Sequence, residues 1–389
     1  MNKFAIVVIG YNRVHSISRL LNSLSLVDYG SDIVPLIVSI DNSGDDKVEK
    51  FIKTYQWPNG KVVTHTYPTR QGLRKHVLNC GDFLEDFDAI AVFEDDVVAS
   101  PGFYKFMRKA VEFYKDDDRI AGISLYTHLW NVNVGMPFEP SHSQHDTYFL
   151  QFAQSWGQIW MKHQWKAFSI WYEENHAPFE NQKDIPSKIS NWPETSWLKY
   201  HIRYCIENDK YFVYPYVGLS TCFSDEGVHT LYRSITTQTP TLHGVKDNYT
   251  FASLDDSEAV KYSAFFERIL PVKSIDDIES NQICLDLYRS RPIKDERYLI
   301  TTRLIDARII RSWGLLLRPI EENILQNVQG DSIMLYDLSK TEKHSRIRKD
   351  NTEMQMYKYL FRLGSNQIAL IKYVIWSSIH WLKQKMALY

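Results

Sequence analysis

The chain has 389 residues, enough for two domains or for one large α/β domain with an appendage. With 44% hydrophobic and 24% charged residues it is not a disordered, collagenous or disulfide-scaffold chain, and a net charge of −2 gives no reason to expect nucleic acid as partner. Aromatic residues are abundant at 14%, with 24 Tyr and 11 Trp, which suits stacking on sugar or base rings as well as core packing. The charge is uneven, because residues 340–389 hold ten Lys or Arg against three Asp or Glu. Cys80, Cys205, Cys222 and Cys284 lie far apart without a CxxC pair, so reduced thiols in a cytoplasmic protein are expected. The apolar run Phe4–Ile9 is too short for a signal peptide. Ile368–Trp381 is broken by Lys372 and His380 and is too short for a spanning helix.

Short apolar runs alternate with helix-period segments through the first 130 or so residues, the pattern of a mostly parallel sheet with crossover helices. Strands are predicted at Phe4–Ile9, Val34–Ile40, Lys61–Thr66, Ala89–Phe93 and Ile120–Leu125. Between them, Ser16 is placed to cap a helix whose apolar face is Ile17, Leu20, Leu21 and Leu24. Further helices are predicted over Asp45–Tyr55, Gly72–Phe83 and Phe103–Lys115. Segment 127–195 is assigned only a helix at Lys162–Asn175, then a helix follows over Trp197–Asn208 and an extended run over Tyr211–Pro215. Ser234–Gly244 reads as a domain edge. The remaining chain reads as mainly helical with a basic amphipathic tail, which gives two regions, 1–265 and 266–389.

The polar clusters fall where ligands bind in such folds, beyond the carboxyl ends of the strands. Glu94, Asp95 and Asp96 follow the fourth predicted strand, and three adjacent carboxylates repel one another unless a cation sits among them. Mn²⁺ or Mg²⁺, which take oxygen ligands and share them with phosphates, meets that need. Strand one ends in Gly10, Tyr11, Asn12 and Arg13, where the glycine allows a tight turn and Tyr11 can stack on a base. Asp41 ends strand two, suited to a ribose or base donor, although Asp41-Asn42-Ser43-Gly44 also reads as a plain turn. Arg70 and Arg74 flank Gly72 after strand three, suited to a diphosphate or to a solvated helix start.

Together these residues resemble a GT-A fold glycosyltransferase. The run Val92-Phe93-Glu94-Asp95-Asp96-Val97-Val98-Ala99-Ser100-Pro101-Gly102-Phe103 is similar to the Glu-Asp-Asp segment of the N-acetylglucosaminyltransferases that begin complex N-glycans. It also resembles bacterial family 2-like transferases of surface-polysaccharide clusters. Their further segments have counterparts in Ser155-Trp156-Gly157-Gln158-Ile159-Trp160, Glu194-Thr195-Ser196-Trp197 and Gly227-Val228-His229-Thr230. The resemblance spans residues 3–232.

The resemblance implies an α/β, Rossmann-like nucleotide-sugar domain in which Asp96 ligates the metal, and Glu94 and Asp95 hold ribose or water beyond the metal's own ligands. His229 would approach the metal or diphosphate. It further implies a metal-dependent, inverting transferase that moves a sugar from a nucleotide-diphosphate donor, a UDP-sugar favoured, to a glycan or lipid-linked glycan of a bacterial surface polysaccharide (lipopolysaccharide O-antigen or capsule). Glu194 is the candidate base, although Thr195 stands where the family pattern has Asp, with Glu173, Glu174 and Asp225 in reserve. Trp156, Trp160 and Trp165 are candidates for an acceptor wall, with core packing as the competing reading. The tail, with Trp376, Trp381, Lys383 and Lys385, reads either as an interfacial helix at the inner face of the plasma membrane or as a docking helix, on its own domain or in a homo-oligomer. The competing functions are a non-catalytic glycan-binding or scaffold protein and a sugar-nucleotide nucleotidyltransferase.

Overall fold

In a computed structural model the described residues are 3–180, 182–223, 225, 235–293, 296–364 and 367–386. The chain forms two compact units, Met1–Ile275 with Ser290–Pro292, and Asp276–Arg289 with Ile293–Tyr389.

The first unit is built on β1 (Phe4–Gly10), α1 (Val14–Ser25), β2 (Leu36–Ile40), α2 (Lys47–Thr54), β3 (Val62–Thr66), α3 (Leu73–Asn79), β4 (Ala89–Glu94), β5 (Val97–Ala99), α4 (Phe103–Tyr114) and β6 (Ile120–Ser124). After these come β7 (Trp130–Asn131), β8 (Met136–Pro137), β9 (Thr147–Leu150), β10 (Gln158–Met161), α5 (Lys162–Asn175), α6 (Ser187–Ser190), α7 (Leu198–Glu207), β11 (Tyr211–Pro215), β12 (Ser220–Cys222) and β13 (Lys261–Tyr262). Nine of the strands make one mixed sheet in the order β13-β9-β11-β6-β10-β4-β1-β2-β3. β4, β1, β2 and β3 run parallel, and β10 enters antiparallel between β4 and β6.

Every residue of β1 and β2 is buried, as helices on both faces require of a parallel sheet. α1 and α4 cover one face, burying Ile17, Leu20, Leu21 and Leu24 from the first and Phe103, Phe106, Met107 and Val111 from the second. β3 is the edge strand and four of its five residues are exposed. The predicted helix Gly72–Phe83 is shorter than expected, because α3 ends at Asn79 and a 3₁₀ turn spans Cys80–Glu85. Ser16 does not cap α1, which begins at Val14 with no side-chain cap, so Ser16 lies inside its first turn. The Thr/Pro/Gly stretch at 234–244 is not a domain edge where it is described: Gly218 bridges Thr241, and the Leu242 amide donates to the Gly218 carbonyl at 2.8 Å.

The second unit holds a four-stranded sheet that the sequence reading did not assign, ordered Ile283–Asp286, Tyr298–Thr301, Ile333–Asp337 and Arg308–Trp313. The helical expectation holds for the end of the chain, over Arg346–Leu360 and Gln367–Met386. Among the described residues no helix is long and apolar enough to cross a membrane.

Candidate active site

The sheet register brings the strand-end residues to one rim. Ile9 pairs with Glu94 on one side of β1, and Gly10 pairs with Ile40 on the other. The loops after β1, β2 and β4 therefore leave the sheet side by side, and they carry Arg13, Asp41 and the acidic triplet. A second, two-stranded ribbon crosses this rim: β12 pairs with β5, and the Phe223 amide donates to the Asp96 carbonyl at 2.8 Å. That places Phe223 and Asp225 beside the triplet.

Two arginines serve this acidic cluster. Arg13 grips Asp95, with Nε at 3.1 Å from Oδ2 and Nη2 on Oδ1, and its Nη2 lies 3.9 Å from Asp96. Arg19, one turn and a half along α1, pairs with Asp225 through Nη2 and stacks its guanidinium 3.4 Å above the Phe223 ring. Ser16 donates its hydroxyl to the same Asp225 carboxylate at 2.9 Å. Arg19 was missed by the sequence reading. The signal was the spacing Arg13, Ser16, Arg19, which puts all three on one helical face.

The electrostatics show a shortage of positive charge. Burial pushes Glu94 up to about 8, assisted by Asp96 and Asp95 against Arg13 and a hydrogen bond from Trp197. Burial pushes Asp95 up to about 6 in spite of Arg13, and burial also raises Asp96 above the usual carboxylate range. Asp225 is the exception: burial raises it, but the hydrogen bonds from Arg19 and Ser16 outweigh that and hold it low. Asp96 Oδ1 is buried without a hydrogen-bond partner, as is Arg19 Nε. An orphaned carboxylate oxygen among raised carboxylates is the environment that a hard divalent cation fits. No group of three or more His, Cys, Asp or Glu able to hold a metal is present among the described residues. His229, the second expected ligand, lies outside the described residues.

Other expected contacts have different partners. Asp41 is buried, and its carboxylate accepts from the backbone amides of Asn42 at 2.8 Å, Gln71 at 2.7 Å and Gly72 at 2.9 Å. It fastens the loop that launches α3, in which Gly72 has φ +75°. Arg74 has partners other than the triplet's carboxylates: it donates to Tyr172 Oη at 2.6 Å, the His176 carbonyl at 2.6 Å and the Glu194 carbonyl at 3.1 Å, with Tyr200 beneath its guanidinium. Arg70 is exposed, 5.3 Å from the half-buried ring of Tyr11, and Asn12 is exposed beside it. Gly10 adopts no left-handed conformation, and a Cβ there would stand 3.1 Å from Ile17, so it serves close strand–helix packing.

Glu194 sits before α7, near the rim through the Trp197 contact to Glu94. Its oxygens accept from Lys199 Nζ at 2.6 Å and from the Tyr200 hydroxyl. Burial raises it, and these two donors together with the Arg74 guanidinium, 3.8 Å away, outweigh burial and hold it below the usual range. Glu173 and Glu174 are exposed near the end of α5. Trp160 and Trp165 are buried and stacked 3.8 Å apart, so core packing takes both, whereas Trp156 stays half-buried against Tyr126. Gly157 beside it has φ +93°, and a Cβ there would stand 2.7 Å from Ser220 Oγ.

No family model matches the chain, and no curated protein matches it in sequence. Solved structures similar to it include S. aureus TarS 1-349 in complex with UDP-GlcNAc, at 16% identity and a TM-score of 0.38, covering 60% of this chain and 62% of that one. The mannosyltransferase PcManGT from Pyrobaculum calidifontis, in complex with GDP-Man and Mn²⁺, is similar at 14% identity and a TM-score of 0.33, over 56% of this chain and 57% of that one. The matches thus span about three fifths of those structures' length. The parallel β3-β2-β1-β4 half-sheet and the antiparallel β10 make the first unit a mixed α/β fold with an acidic strand end at its carboxyl rim.

Proposed function

We propose that the protein is a metal-dependent, inverting glycosyltransferase that moves a sugar from a nucleotide-diphosphate donor, a UDP-sugar favoured, to a glycan or lipid-linked glycan in bacterial surface-polysaccharide synthesis. The observation that carries the reading is the orphaned Oδ1 of Asp96 at the carboxyl rim of the parallel strands. In sugar transfer the bond from C1 to the diphosphate oxygen breaks as the acceptor oxygen bonds C1 from the opposite face, so charge builds on the diphosphate and a proton leaves the acceptor. Asp96, with His229, would hold Mn²⁺ or Mg²⁺, which when bound supplies Lewis-acid neutralisation of that charge. Arg13 and Arg19 supply fixed positive charge at the same rim. Glu194 is assigned the acceptor's proton: its side chain is 43% exposed and therefore reachable, and Lys199 and Tyr200 keep it ionised while weakening it as a base. Tyr11 and Arg70 would flank the nucleotide base, with Asp41 acting through the loop it fastens.

The test is thermal stabilisation of the full chain by UDP-, GDP- and dTDP-sugars, with Mn²⁺ and with chelator, beside Asp96→Asn. Stabilisation by one nucleotide family that needs metal and is lost in D96N supports the reading. Absence of nucleotide binding under both conditions replaces it with a non-catalytic glycan-binding protein.

A further inference from the structure

The last helix, Gln367–Met386, has no buried face among its described side chains. Ile368, Ile371, Ile375 and Ile379 repeat at helical spacing along one stripe and are between 49% and 69% exposed, and Val374 and Trp376 beside them are exposed to the same degree. The preceding helix differs, since Arg346–Leu360 buries Thr352, Met356 and Leu360. Four isoleucines left in water along one stripe cost the stability of the monomer and imply a cover.

The charge identifies that cover. Between 367 and 386 the sequence has Lys372, Lys383 and Lys385 and no Asp or Glu. Lys372 and Lys383 are eleven residues apart in sequence, a spacing that returns to the same side of a helix. Antiparallel or parallel pairing with a second copy of this helix would set lysines against lysines with no carboxylate to answer them. A surface that is apolar beneath and anionic at its head groups answers both features at once. The helix is too polar to cross a bilayer, so it would lie in the plane of the interface.

We infer that the helix Gln367–Met386 docks the protein on an anionic lipid surface, with Ile368, Ile371, Ile375 and Ile379 facing the acyl chains. The inference rests on this helix alone and stands or falls independently of the transferase reading. It is tested with the full chain by co-sedimentation with vesicles of phosphatidylcholine, with and without phosphatidylglycerol, at low and high salt. The expected result is binding about tenfold tighter to the anionic vesicles, weakened by salt. Ile371→Glu with Ile375→Glu should abolish it without changing the circular dichroism, since both side chains are exposed. Lys372→Gln with Lys383→Gln, which keeps the apolar stripe, should remove most of the preference for anionic lipid. Equal sedimentation of the wild type and the Ile371→Glu/Ile375→Glu variant overturns the inference. It is equally overturned by a wild-type dimer in analytical ultracentrifugation that the variant dissolves while neither protein binds vesicles, which would make a second copy the cover.

Discussion

Asp41→Ala removes three hydrogen bonds to one buried carboxylate. They come from the amides of Asn42, Gln71 and Gly72, at 2.8, 2.7 and 2.9 Å. A hydrogen bond to a charged partner contributes about 1.5–3 kcal/mol net, and Gln71 and Gly72 are half-buried, so water replaces part of each loss. Taking the lower end for the two long-range bonds and less for the local one gives a destabilisation of about 3–4 kcal/mol, a large share of a typical ~5–15 kcal/mol. Asp41→Asn keeps one accepting oxygen but turns an amide NH₂ toward an amide donor, so it should cost about half as much. Urea unfolding followed by tryptophan fluorescence reads the stability, and nucleotide titration of the folded variant reads the site. If Asp41→Ala unfolds within about 1 kcal/mol of the wild type yet loses nucleotide binding, the carboxylate is a ligand contact and its role as the loop's fastener is refuted.

Burial holds His128 and His201 down to about 3 from an ordinary 6.5. The unfolded chain therefore takes up these protons first as pH falls, so their contribution is complete above about 6.5 and drains away toward 3, by at most about 1.4 kcal/mol per pH unit for each. His201 stacks on Phe168 at 4.2 Å, so His201→Phe should fold and flatten the acid limb of the stability curve by one proton, whereas parallel curves would show the ring is protonated in the native protein. Arg19→Met should weaken nucleotide binding about tenfold while changing stability by about 1 kcal/mol, and unchanged binding would remove Arg19 from the site. Gly157→Ala should cost about 2–3 kcal/mol in urea unfolding, from its left-handed backbone and the Ser220 contact, and a cost under about 0.5 kcal/mol would contradict that geometry.

The rim of the site was legible because the parallel strands β1, β2 and β4 are apolar runs that end abruptly in Gly10, Asp41 and Glu94, and strand order then sets those ends side by side. β10 escaped notice because Gln158–Met161 is four residues long and buried throughout, leaving no alternation to read. The sheet of the second unit escaped for the opposite reason: Arg308–Trp313 carries two arginines among its apolar residues and reads as surface. Arg74 was read beside its neighbours Arg70 and Gly72, but its partners Tyr172, His176 and Glu194 come from about 100 residues or more downstream, which no local pattern contains. Trp160 and Trp165 illustrate the same limit, since composition cannot tell a stacked core pair from a sugar platform.

The fastened loop has a bearing on how such a site can change. Asp41 holds the amides of residues 71 and 72, and two residues later Arg74 holds the carbonyls of residues 176 and 194. The side of the rim proposed for the nucleotide and the carboxylate proposed for the acceptor side are thus joined by one short strut rather than resting on separate scaffolding. Grafting a foreign 176–200 segment to alter acceptor choice would succeed only if it returned the two carbonyls and the Tyr200 ring to that guanidinium. A graft that failed to do so should also weaken nucleotide binding at the proposed site, although it touched no residue of the proposed nucleotide rim.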